Sequence, residues 1–365
     1  MSTSKIGRYF FIGLVTALFP LVTPGWAQQG KTDPAAKKKG KAALVYDQPQ
    51  APAELPGKGL LQHDFLFAGQ QAFREKGVQI VRGGKVVWSY NDPEGRGELS
   101  DASMLANGNV LFTHAYGVRI VSPDKKIVWR YDVKPEEHEI HGAQAIGQDR
   151  VIFVQNGAPA GKVIVANIVT GKFEKEFEVP LGDVSNLGQK EARYVHMQMR
   201  RLRLTPAGTV IIAYTDANKV SEFDESGREI WSAKVDRPWS VERLKNGNTL
   251  VNLTAMAAVE LNPKGETVWK FTKADAEAQG YVMTKWQVAT RLANGNTLIN
   301  NEARWQPGAS AENAAPVQAL EVSPAKKIVW ALRSWTGEAN LGSATTIQVL
   351  DQPGAADAVH FGSIR

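Results

Sequence analysis

Apolar and polar residues alternate with a period of two through most of the chain. The runs are five to eight residues long, rich in Val, Ile and Thr, and bounded by Gly, Asn, Asp or Pro. This pattern predicts half-buried β-strands, and only Lys273 to Gly280 suggests a helical period. The runs also repeat. LANGNVLFT at 105–113, LKNGNTLVN at 244–252 and LANGNTLIN at 292–300 are copies of one string, followed by further alternation, a Gly- or Asp-centred turn and a short strand ending in Trp. A copy at 208–233 has Ala207-Gly208 for Asn-Gly, one at 150–177 has Phe for Trp, and the copy from 296 is interrupted before resuming to 332. Residues 64–90 supply the second, third and fourth strands of a unit, and 343–354 supply a lone first strand. Joined, they make a sixth unit. The expectation is therefore an all-β, six-bladed β-propeller of four-stranded antiparallel blades over 61–354, whose closing blade is shared between the N- and C-terminal segments, with 355–365 as a tail.

Strand direction gives the disc two unlike faces. The Asn-Gly turns and the turns before the Trp strands share one face, and Asn-Gly suits a two-residue hairpin with positive φ, so the recurrent string reads as scaffold. The other face receives the long segments 91–98, 132–140, 180–195, 273–285, 304–316 and 333–342, and on rigid folds function concentrates in such loops. Trp88, Trp129, Trp231, Trp269 and Trp330 occupy one repeat position and are expected to pack between blades, so that Trp231→Ala would cost about 3–5 kcal/mol. His114, His138, His141 and His196 all fall on the loop face. Trp239 and Trp286 hold entrance positions of the next two blades, Trp305 lies in a long loop, and Arg200 is close in sequence to His196. Imidazole, indole and guanidinium groups around one mouth suit a glycan, an aromatic or an anionic small molecule, or a partner protein of the cell envelope.

The chain ends change how the charge is read. Residues 1–27 have a basic start, a short apolar run and small residues before Gln28, the pattern of a cleaved secretory signal peptide, which implies a periplasmic or secreted protein. No segment has the apolar length of a transmembrane helix. Residues 28–60 read as a flexible basic arm and linker. The leader and the first part of this arm, residues 28–42, carry all of the formal +6 charge, so the pI near 9.2 implies no nucleic-acid surface on the near-neutral body. The chain has no Cys, which removes disulfides, thiolate metal sites and a Cys nucleophile. His138-Glu139-Ile140-His141 is one residue short of the H-E-x-x-H zinc signature and sits among strands, although a His-only set of His138, His141 and His196 is conceivable. There is neither a G-x-S-x-G elbow nor a nucleotide-binding P-loop, and the residues call for no cofactor.

The L-x-N-G-N-x-L string followed by a G-x-x-x-W strand resembles the repeat of the PQQ-like propellers, in particular the bacterial arylsulfotransferase type. That resemblance implies an enzyme in which a loop-face His takes up a sulfuryl group, assisted by further His and Arg. Carried onto this chain it implies His141, in IHGAQAI, as nucleophile, with His196 and Arg200 stabilising charge. The sequence departs from the family at its His-Asp pair, which here is Ser100-Asp101, leaving Asp101 as a ligand-binding candidate. Ligand binding without reaction and a His-based transferase or lyase both stay open.

Overall fold

The computed structural model describes residues 49–69, 77–135, 137–181, 195–305, 311–352 and 359–365. The expected signal peptide and most of the basic arm lie outside them. Among the described residues, twenty-four strands form six four-stranded antiparallel sheets, an all-β six-bladed propeller. Blade 1 has the order β24 (Thr346–Val349), β1 (Phe65–Ala68), β2 (Val78–Arg82), β3 (Lys85–Tyr90). The strand from the C-terminal segment is thus innermost, and Leu66 faces Gln348 across the closure. The other inner strands are β4 (Leu99–Met104), β8 (Glu139–Ile146), β12 (Met199–Leu204), β16 (Pro238–Arg243) and β20 (Trp286–Arg291). Middle strands such as β5 (Val110–His114) and β13 (Val210–Tyr214) are buried throughout, while the outer strands alternate, as in β15 (Glu229–Lys234). Apolar burial between blades therefore holds the disc together. Among the described residues, no helix is long and apolar enough to cross a membrane.

The recurrent string is scaffold, but its turn differs from the expected two-residue hairpin. Gly247 donates to Leu244 O at 3.0 Å and alone takes positive φ (84°), a type I turn closed by a left-handed glycine. Asn246 keeps an ordinary φ because its side chain has other work. Its Oδ1 accepts from Asn248 N at 3.0 Å, and both Asn side chains donate to Glu260 on the third strand. Asn294 and Asn296 bind Glu321 in the same way. The last Asn of the copies at 244–252 and 292–300 reaches the next blade, Asn252 to Trp286 O at 3.1 Å and Asn300 to Thr345 O at 3.3 Å. The Trp position also joins blades: Trp88, Trp231 and Trp269 donate to the carbonyls of Pro123, Pro263 and Pro324 in the following blade's turn at 2.8–2.9 Å. Trp330, fully buried, donates to Gly59 O instead.

Gly59 belongs to a segment that corrects one expectation. Residues 49–60 are not a flexible linker but lie along blade 6, where Ala51 is buried, Pro56 O accepts from Ala331 N, and the carbonyls of Pro52 and Ala53 accept from Arg333. The stretch lacks alternation, so its few apolar residues gave no strand signal. At the other end Phe361 is buried and stacks on Phe177, fixing the last residues against blades 3 and 4. The short helix Lys273–Glu277 is present, closed by a capping box between Thr272 and Asp275.

Candidate functional site at the loop-face mouth of the channel

Each inner strand after the closing blade carries an irregularity at its loop-face end. In β8, Ile140 pairs with Gln155 and Gly142 with Val154, leaving His141 as the extra residue of a bulge. Ser100 in β4, Arg200 in β12 and Trp239 in β16 hold the same position, and in β20 the shift spans Gln287 and Val288. A bulge re-aims the side chain it frees, and here the bulges deliver Ser100, His141, Arg200 and Gln287 to one buried network over the channel axis.

Glu139 is its centre. Its Oε2 lies 2.7 Å from His141 Nε2 and 2.7 Å from His196 Nδ1, and the two rings meet edge to face with centroids 5.1 Å apart. Ser100 Oγ lies 3.0 Å from His141 Nδ1. Arg200 donates to Glu98 Oε2 at 2.6 Å and to His196 O at 3.1 Å, and its Nη1 is 3.1 Å from His141 Nε2 and 3.4 Å from His196 Nε2. Gln287 donates to Glu98 and Glu302, and Lys285 pairs with Glu302 at 2.5 Å. The Trp239 ring lies beneath two cations, Arg200 at 4.0 Å and Lys285 at 5.1 Å.

Proton positions follow from these contacts. Burial first, and then the Arg200 charge, lower the His141 pKa to about 4, so the ring is neutral at pH 7. Because an ionised carboxylate only accepts, the 2.7 Å contact assigns the one proton to Nε2, donated to Glu139, which leaves Nδ1 to accept from the Ser100 hydroxyl. Burial opposes ionisation of Glu139, but hydrogen bonds from His141 and His196 outweigh it and hold the pKa at about 2. Glu98 reaches about 2 in the same way, its burial offset chiefly by Arg200.

The structure thus brings His141, His196 and Arg200 together, with Trp239 beneath Arg200. The other candidates lie apart. Trp286 is one residue out of register with Trp239; the equivalent position is Gln287, so the Trp286 ring turns into the core and stacks on Phe271 at 5.9 Å. Trp305 packs against Trp335 in a separate apolar cluster. His138 stands against Gly157 at the rim. His114, whose pKa is lowered by burial and then by the Arg119 charge, lines a separate polar cavity of about 220 Å³ with Arg96, Tyr116 and Arg119. Asp101 lies inside the channel, where it accepts from Arg201, from Arg203 at 2.7 and 2.9 Å, and from Ala143 N at 3.3 Å. Arg201 continues to Thr346 in the closing blade, so this knot crosses the channel below the mouth. Sequence reasoning missed Glu98, Ser100, Glu139, Lys285, Gln287 and Glu302. Glu139 was accessible in principle, since residues i and i+2 of a strand share a face.

No family model matches the chain, and no curated protein does. Solved structures share the fold. A protein of unknown function from Bacteroides caccae is 22% identical with a TM-score of 0.62, covering 78% of this chain and 98% of that one. A streptogramin B lyase is 12% identical with a TM-score of 0.49 over 80% of this chain and 86% of its own. BamB from Moraxella catarrhalis is 14% identical with a TM-score of 0.36 over 61% of each chain. At these identities the likeness is one of fold alone. No match supports the narrower arylsulfotransferase resemblance.

Proposed function

We propose that the protein binds a small polyhydroxylated ligand at the loop-face mouth of its channel, with His196 and Lys285 as the groups that meet it. The supporting observation is a split in exposure across one hydrogen-bonded cluster. The side chains of His196 and Lys285 are 37% and 43% exposed, whereas those of His141, Arg200 and Glu98 beneath them are 0%, 1% and 5% exposed. Charge narrows the ligand class. Glu98, Glu139 and Glu302 face two permanent cations, Arg200 and Lys285, so a bare anion meets no positive excess. The Trp239 ring is covered by those cations and offers little stacking surface. Hydroxyl groups, which both donate and accept, match the alternation of carboxylate, imidazole and ammonium groups.

Proton transfer by His196 is a second reading, favoured by the Glu139 contact, which orients the ring as a buried carboxylate orients a general base. Sulfuryl transfer through His141 has less support, because that ring is inaccessible and both its nitrogens are engaged. The test is histidine-ring NMR of the protein titrated with neutral mono- and disaccharides, uronates and 4-nitrophenyl sulfate. Neutral sugars are expected to shift His196 while His63 and His360 stay still. Nitrophenol release with a sulfuryl adduct on His141, or no response of His196 to any sugar, would overturn the reading.

A further inference from the structure

We propose that Glu139, His141 and His196 form a binding site for one divalent transition-metal ion of the zinc class. One donor atom from each lies within 4.8 Å of the others. Both His141 Nε2 and His196 Nδ1 are 2.7 Å from Glu139 Oε2. Two imidazole nitrogens and one carboxylate oxygen suit zinc and its neighbours, whereas calcium and magnesium prefer oxygen ligands alone.

Without an ion, protons hold the three donors together. Zinc ligands at about 2.1 Å in a tetrahedral arrangement stand about 3.4 Å apart, so each 2.7 Å contact must open by about 0.7 Å, within reach of small side-chain rotations. An ion on His141 Nε2 and His196 Nδ1 requires those two nitrogens to be unprotonated, so any ring proton is carried on the other nitrogen. For His141 that nitrogen has an acceptor in place, Ser100 Oγ at 3.0 Å from Nδ1, whereas His196 Nε2 has Glu98 Oε2 at 3.6 Å and Arg200 Nη1 at 3.4 Å. An outer acceptor of this kind orients a metal-bound imidazole, and the Ser100 hydrogen bond to His141 Nδ1 is the second, independent support.

Charge points the same way, because the mouth has one more carboxylate than permanent cations. Arg200 is the competitor: its Nη1 withdraws from His141 Nε2 when the ion enters, while Nη2 keeps its 2.6 Å bond to Glu98. The exposed side of His196 leaves the fourth coordination position to water or to a ligand oxygen. His138 stands at the rim against Gly157, outside this set, so the His-only set of His138, His141 and His196 is replaced by one containing a carboxylate. The inference goes beyond the ligand reading and does not require it.

The experiment uses the untagged protein, stripped with chelator and titrated with Zn2+ by calorimetry and with Co2+ by visible absorption. One ion per chain and the intense cobalt bands of a four- or five-coordinate site are expected. Glu139→Gln and His196→Gln should each weaken binding by more than the ~10–100-fold expected of Ser100→Ala, which removes only an outer partner. His138→Gln should bind as the parent does. Circular dichroism and metal-free melting check that the variants fold; His196→Gln, at the exposed end of the cluster, disturbs the core least. Absence of a stoichiometric ion, or equal binding by His196→Gln and His138→Gln, would overturn the proposal. Sugar titrations in excess chelator report separately on the ligand reading.

Discussion

Asp101→Asn is the most informative single substitution, because it separates a ligand-binding role for this residue from a structural one. The carboxylate is 2% exposed and neutralises Arg201, equally buried, and Arg203, whose side chain is 25% exposed. Burial works against the charged carboxylate, but Arg201 and Arg203 outweigh it and hold its pKa below the usual value. Asparagine keeps the shape and the contact to Ala143 N but leaves the Arg201 charge uncompensated inside the channel. Removing one partner of a buried pair costs about 3–5 kcal/mol. Against a total stability of about 5–15 kcal/mol this is a large fraction. At about 2 °C per kcal/mol for a domain of this size, the melting temperature should fall by about 6–10 °C. Urea unfolding at pH 7, followed by circular dichroism, should show the midpoint move with the slope unchanged. Adding Arg201→Met should restore part of the loss, since the stranded charge is then gone. A loss under about 1 kcal/mol, or a double variant worse than the sum of its singles, would refute the argument.

Three further predictions concern other parts of the fold. The His141 pKa is lowered to about 4 in the folded chain against about 6.5 unfolded, so its contribution is fully present above pH 6.5 and is lost as the pH falls towards 4. The loss is of the order of 3 kcal/mol, and His141→Asn should flatten stability over that window in urea titrations; an unchanged slope would refute the assignment. Trp330→Ala, at 0% exposure, should cost about 3–5 kcal/mol, whereas Trp231→Ala should cost about 2–3 because its ring is only half-buried; equal losses in chemical denaturation would refute the ranking. Lys125 and Lys326 both hold φ 65° at a turn position that Gly227 and Gly265 fill in other blades, so Lys125→Gly and Lys326→Gly should each stabilise by about 0.5–1 kcal/mol, read as a rise in urea midpoint.

The site was partly legible in advance. His141, His196 and Arg200 stood out as polar residues at the loop end of inner strands, and they do converge. Ser100 and Gln287 did not stand out, because their importance comes from a bulge at one register position, which no single strand shows in its own sequence. Trp286 was misplaced by one residue, enough to send a side chain to the opposite face of a strand. Glu98 became visible only as the partner of Arg200, 102 positions away.

By itself, the sequence determined the blade count, the split closing blade and the two unlike faces. These rest on local rules, namely the period of two, a left-handed glycine in the turn between first and second strands and one aromatic position per unit, and repetition multiplies such signals. The tertiary structure alone decided what lies at the mouth and inside the channel. There Glu139, His196, Arg200 and Glu98 come from three blades, and Asp101 meets Arg201 across the axis. Radial closure makes neighbours of inner strands far apart in sequence, and the protonation and charge of each group are set by those neighbours rather than by its own residue type.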